Sequence, residues 1–206
     1  MTKKKTSLAK DTRLIMVVIV ALLVGVGIWQ SICPWMAEFY YRKGFVENTY
    51  KRYPESMQSL DKAMKFAPWE TYYLITQVRN YEEMSRATQT PEEQKKWLLK
   101  ARRSYDYMLK INPTNPWYWS GAASIDLGLM NLSTDVSVRQ KYFNAAENDY
   151  CTAASIDAKN PLFIMSKAFF LHRSGRVDQA YRLYEQCLSL DNIFVEGLYN
   201  MSEIDI

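Results

Sequence analysis

Few residues in this chain have the chemistry to act on a substrate. His172 is the only histidine, so a Cys–His nucleophile pair or a histidine-containing zinc site must use it. The three cysteines, Cys33, Cys151 and Cys187, lie far apart and form no metal-ligand spacing. The carboxylate pairs Glu82-Glu83 and Glu92-Glu93 fall at predicted helix ends, where such groups are solvated or cap the helix. The seven glycines are scattered singly, which leaves no glycine-rich phosphate loop. The expectation is a protein with no catalytic residue, no cofactor and no metal, in which His172 is a solvated or hydrogen-bonded surface residue. Cys187 and Cys151 read as small core residues, and a Cys151–Cys187 disulfide stays open.

The elements that position these residues follow from a recurring spacing. A small residue, an aromatic or aliphatic one, a second small or flexible one and a helix stop recur at offsets of 4, 3 and 5. The copies are Ser56-Leu60-Ala63-Pro68, Ala101-Tyr105-Met108-Pro113, Ala146-Tyr150-Ala153-Ala158 and Ala180-Tyr184-Cys187-Asn192. Their stops lie 45, 45 and 34 residues apart. A 34-residue unit of this form resembles the tetratricopeptide repeat, a helix-turn-helix unit that stacks into a right-handed, all-α solenoid. The two longer copies carry eleven extra residues, about three helical turns, so their apolar faces return to register.

Charge and hydropathy set the first residues apart. Lys3, Lys4, Lys5, Lys10 and Arg13 against Asp11 hold the whole net charge of +4, and the remainder is neutral. A nucleic-acid binder needs a basic face, and the repeats have no basic excess. Leu14 to Trp29 is uninterrupted apolar sequence that continues to Cys33, the length needed to cross a bilayer. It is longer than a signal-peptide core and lacks a small-residue cleavage site. The expected organisation is a basic cytoplasmic tail over 1–13, a transmembrane anchor over 14–33 and a repeat region over 34–206. Trp29, Trp35, Phe39, Tyr40 and Tyr41 suit the far interface, and the positive-inside rule leaves the repeats outside.

Within the repeat region, Pro34 marks the expected boundary, with a first helix from about Trp35 to Arg52 and Gly44 at a close approach. Thr90-Pro91-Glu92-Glu93 predicts a capping box opening a helix to Ile111. Ser133, Thr134 and Asp135 predict a second start, Pro116 and Pro161 begin later units, and Gly175 sits in a turn. Ile193 to Ile206 reads as a further, apolar helix closing the stack. The aromatics divide into two sets. Tyr40, Tyr105, Trp119, Tyr150 and Tyr184 fill predicted core positions. Tyr41, Phe45, Tyr72, Trp117 and Phe169, with Arg79 and Arg173, fall on the first-helix face that lines the groove of such repeats, a candidate partner-binding surface.

Two phrases, Ala67-Pro68-Trp69-Glu70-Thr71-Tyr72-Tyr73 and Ile111-Asn112-Pro113-Thr114-Asn115-Pro116-Trp117-Tyr118, carry a narrower resemblance. With lengthened repeats after a membrane helix, residues 14–200 are similar to the C-terminal extracytoplasmic repeat region of bacterial O-antigen ligase and polymerase family proteins. That family has about a dozen membrane helices and a large catalytic loop; here there is one span, and no family catalytic residue has a counterpart. The resemblance implies a setting, surface-polysaccharide assembly at the inner membrane, and not an activity. Tetratricopeptide proteins that clamp acidic chaperone tails use Lys and Asn where this chain has Tyr41 and Phe45, so that role is disfavoured. The expectation is a scaffold for a membrane protein of the cell envelope. Alternatives are a holdase beside the export channel, a glycosyl-transfer enzyme, and a cytosolic receptor like those of mitochondrial import.

Overall fold

A computed structural model describes residues 2–190, with residues 2–14 known by backbone alone. The fourth copy's Asn192 stop and the helix expected over 193–206 lie outside the described residues. Eight α-helices make up the described chain, with no strand among the described residues. They are α1 (Thr2–Thr49), α2 (Tyr53–Phe66), α3 (Tyr72–Ala87), α4 (Pro91–Ile111), α5 (Pro116–Asn131), α6 (Val136–Ile156), α7 (Pro161–Arg173) and α8 (Val177–Leu190). They fall into two compact units, the first ending at Thr76 and the second beginning at Gln77.

In the first unit α1 and α2 form a hairpin. The sequence places a helix boundary at Pro34, yet α1 runs through it. The reason is tertiary. Cys33, Ala37, Tyr41, Gly44 and Glu47 form one buried stripe on both sides of the proline, and Pro34 itself faces outward. Burying that stripe against Leu60, Ala63 and Ala67 outweighs the hydrogen bond lost at Pro34, a cost of about 3 kcal/mol in a helix interior. Gly44 is the point of closest approach. The Ser56 hydroxyl donates to its carbonyl at 2.6 Å, and a β-carbon there would lie 3.0 Å from Leu60 Cγ. The apolar part of α1 from Ile15 onward is long and apolar enough to cross a membrane, and its most apolar stretch is unburied.

In the second unit each helix from α4 to α8 packs on its neighbour, and α5 also touches α7. The repeat spacing explains this. The flanking positions of all four copies, Ser56, Ala63, Ala101, Met108, Ala146, Ala153, Ala180 and Cys187, are fully buried. Small side chains there let helices approach, and the intervening Tyr150 and Tyr184 fill the space between them. Tyr105 is half-buried, and its ring occupies the space that a side chain at Gly121 would need.

The helix starts use local polar chemistry. Asn115 accepts from the Trp117 amide at 3.0 Å, and Asn160 accepts from the Leu162 amide at 3.1 Å. Each caps a helix that opens on a proline, whose missing N–H costs nothing there. Asp135 accepts from the amides of Ser137 and Val138. Those bonds hold its carboxyl below the usual range, the Ser137 hydroxyl bond being the largest cause. The capping box at Thr90 is not formed. Its hydroxyl donates to the Glu93 carboxylate at 3.3 Å, so neither side chain reaches a backbone amide. Gly175 holds φ +80°, the left-handed turn expected between α7 and α8.

Candidate partner-binding surface

The seven residues singled out for the groove do not behave alike. In the first unit Tyr41 is buried, with its ring 4.9 Å from Tyr73 and 5.0 Å from Tyr72. Burial, then a hydrogen bond with Tyr72, pushes its hydroxyl up to about 12. Tyr41 takes the core position that the spacing gave to Tyr40, which is only half-buried. Phe45 and Tyr72 are exposed, and with Tyr41, Arg42 and Val46 they line an open hollow of about 320 Å³. Tyr41 is therefore its floor, not its rim.

The second unit holds a more enclosed cup of about 280 Å³. Leu127 and Met130 of α5, Phe143 and Tyr150 of α6, and Phe169 and Phe170 of α7 supply its apolar wall. The wall is a connected set of rings. Phe170 lies 5.0 Å from Phe143 and 5.6 Å from Tyr150. Burial pushes the Tyr150 hydroxyl up to about 12. The Arg176 guanidinium sits 5.7 Å from both the Phe143 and the Phe170 rings and is held by Glu147. Its Nη2 is buried with no hydrogen-bond acceptor, so the ring faces are its partners.

Arg173 is on the lining of this cup. It is exposed, lies 5.6 Å over the Phe169 ring, and pairs with no carboxylate among the described residues. Among the described residues no acidic side chain lines the cup. The structure thus brings Phe169 and Arg173 together. The sequence did not mark out Phe170 or Arg176 for this surface. The signal was present in the run Phe169-Phe170 four residues before Arg173, but helical phase alone does not show that α6 lends a third ring.

The remaining residues stand apart. Trp117 is exposed and packs edge-on against Phe163 at 4.8 Å. Arg79 is exposed on α3 and lines neither hollow. Trp119, expected in the core, is half-buried and donates its indole N–H to the Pro113 carbonyl at 2.7 Å, while Tyr118 takes the core position. His172 is half-buried beside Tyr184, with Nδ1 3.4 Å from the hydroxyl. The cysteines are all thiols, so the structure contains no Cys151–Cys187 bridge. Cys187 is buried, and burial pushes its thiol up to about 11. Among the described residues no cluster of His, Cys, Asp or Glu could hold a metal ion.

No family model and no curated protein sequence matches this chain. Solved structures do. A thermophilic tetratricopeptide protein of Thermus thermophilus superposes with a TM-score of 0.61 over 82% of this chain and 80% of its own, at 14% identity. The MamA protein gives 0.61 over 82% and 80%, at 13% identity. A tetratricopeptide repeat protein of Parabacteroides merdae gives 0.63 over 83% of this chain and 58% of its own, at 14% identity. At these identities the likeness establishes the fold: the chain is built as a tetratricopeptide-type array.

Proposed function

We propose that the protein is a membrane-anchored scaffold that holds a protein partner through the cup on α5–α7. The observation that carries this reading is the pairing of an open aromatic cup with an exposed cation on its lining that has no carboxylate partner among the described residues. At about 280 Å³ the cup is at or below the small end of ligand pockets, so it suits one anchoring side chain and not a cofactor. Arg173 selects an apolar residue that carries a carboxylate beside it. Repeat arrays present such surfaces without catalysing a reaction.

The anchor is α1. Its apolar stretch crosses the cytoplasmic membrane, the basic tail stays inside, and the repeats stand outside. Anchoring raises the effective concentration of a membrane partner. The surface-polysaccharide setting rests on the two proline-tryptophan phrases, which makes an envelope glycan-assembly protein the partner to look for first.

The test is photo-crosslinking in native membranes from a benzophenone amino acid in place of Phe169, with Arg173→Glu as the control. One dominant multi-span membrane protein, lost in the control, is the expected adduct. A spread of secreted chains moves the reading to an export holdase. No adduct from a folded protein removes the cup as a binding surface.

A further inference from the structure

The hairpin of the first unit places a second aromatic-and-basic group at the end of the apolar stretch. α2 runs back along α1, and its last residue, Phe66, stacks on Tyr40 at 5.9 Å and lies 6.5 Å from Trp29. Ala67 is buried in the same core as Ala37. The turn that follows, from Ala67 to Thr71, therefore sits at the level where the apolar run of α1 ends. Twenty residues from Ile15 rise about 30 Å, the thickness of the hydrocarbon core, and reach Pro34. The turn is thus level with the headgroup layer.

The side chains at this level match that layer. Trp69, on the turn, is 62% exposed, and Trp35, on α1, is 82% exposed. Trp29, Ile32 and Phe39 of α1 are exposed as well. Lys62 and Lys65, on the last turns of α2, are also exposed, and the Lys62 ammonium lies 5.4 Å over the Tyr40 ring. Glu70, the nearest carboxylate on the turn, is engaged with the Tyr72 amide at 3.2 Å. In water these rings would stand uncovered around the end of the apolar stretch. Indole rings favour the headgroup layer, and lysines there reach lipid phosphates.

We propose that the Phe66–Trp69 turn is a second membrane-contact site, with Trp69 seated in the headgroup layer and Lys62 and Lys65 on phospholipid phosphates. It rests on the reading of α1 as a membrane-spanning helix. The first unit is then seated on the bilayer at two points, the span and the turn, which fixes its tilt.

The test uses the full chain with its cysteines replaced by alanine, reconstituted in phosphatidylcholine vesicles with a minority of phosphatidylglycerol. A single cysteine carrying an environment-sensitive fluorophore is placed by Val20→Cys, Trp69→Cys or Glu55→Cys, the last at the far end of α2. Circular dichroism confirms that each variant folds. The expected result is a blue-shifted label at 69 that loses most of its emission to shallow spin-labelled lipid. The label at 20 is quenched by deep spin-labelled lipid, and the label at 55 by neither. Quenching at 20 without quenching at 69 overturns the proposal and leaves the anchor intact. A blue shift at 69 without lipid quenching means that protein covers the turn, and also overturns it. No quenching at 20 removes the anchor itself.

Discussion

Arg102 offers the sharpest quantitative test of how the second unit is held. From α4 its Nε donates to Asp126 on α5 at 3.0 Å, and its Nη2 donates to Asp149 on α6 at 3.2 Å. Nη1 meets Asp106 one turn along α4. Asp126 and Asp149 are buried, so one guanidinium serves carboxylates from three successive helices. Burial pushes the Asp126 carboxyl up to about 6 despite Arg102, and pushes Asp149 up as well. Burial also works against the charge on Arg102, but the three carboxylates outweigh it and raise its pKa.

The perturbation is Arg102→Met, which keeps the aliphatic stem and removes the charge. Stranding buried carboxylates in this way costs about 3–5 kcal/mol. At roughly 2–4 °C per kcal/mol for a chain of this size, the melting temperature at pH 8 falls by about 6–20 °C. The pH dependence is the diagnostic. A carboxyl raised in the folded state binds a proton that the unfolded chain releases, so its ionisation costs stability as pH rises through the folded value. For Asp126 that cost is about 3 kcal/mol between pH 4 and 6 in the wild type. In the variant both carboxyls titrate higher still, and once protonated they need no cation. The deficit against wild type is therefore largest at pH 8 and shrinks toward pH 5. Glu82, also raised by burial, is present in both proteins and cancels in the difference. Melting by circular dichroism in detergent across this range reads it directly. Adding Asp126→Asn and Asp149→Asn to the variant recovers most of the loss at pH 8. An equal deficit at pH 5 and pH 8, or no recovery by the asparagines, refutes the electrostatic account and leaves only stem packing.

Two further outcomes follow from the packing. Gly121→Ala puts a β-carbon into the space of the Tyr105 ring and destabilises by about 1–3 kcal/mol, while Tyr105→Leu in the same chain restores most of it; an unchanged melting temperature for the single variant contradicts the close approach. At pH 8 a maleimide modifies half-buried Cys151 well before Cys187, whose thiol is raised to about 11 by burial, and urea removes the difference. Mass spectrometry of timed samples reads the order, and early modification of Cys187 contradicts its place in the repeat core.

The parts of this fold that were legible in the sequence are those written in local spacing. The 4-3-5 phrase locates the fully buried positions because a small residue recurs wherever two helices must touch. Asn115-Pro116 and Asn160-Pro161 announce helix starts because cap and proline are adjacent in the chain. Phase is less secure: the core residues are Tyr41 and Tyr118, one place from the predicted Tyr40 and Trp119, since neighbouring aromatics satisfy the same pattern. What could not be read is what distant residues do together. Asp126 and Asp149 lie 24 and 47 positions from Arg102, and each alone resembles a solvated surface charge. The cup has the same character, because Phe143 and Arg176 join Phe169 only when α6 and α7 pack.

The helix through Pro34 changes what the proposed anchoring means for this molecule. A flexible linker after the apolar stretch would leave the first unit on a tether, and effective concentration would depend on linker length. Here the buried stripe that starts at Cys33 begins on the apolar helix itself, so no such linker separates the stretch from the hairpin. From Pro34 to Thr49 the helix rises about 22 Å, and the last residue of α2, Phe66, reaches back to within 6.5 Å of the Trp29 ring. The apolar stretch and the first hairpin therefore share one continuous helix. A proline at position 34 is tolerated because the residues around it are fixed from the side by α2 packing, which a tether would not need. With α1 as the proposed anchor, the arrangement is that of a mount, in which the orientation of the first hairpin is set by the span.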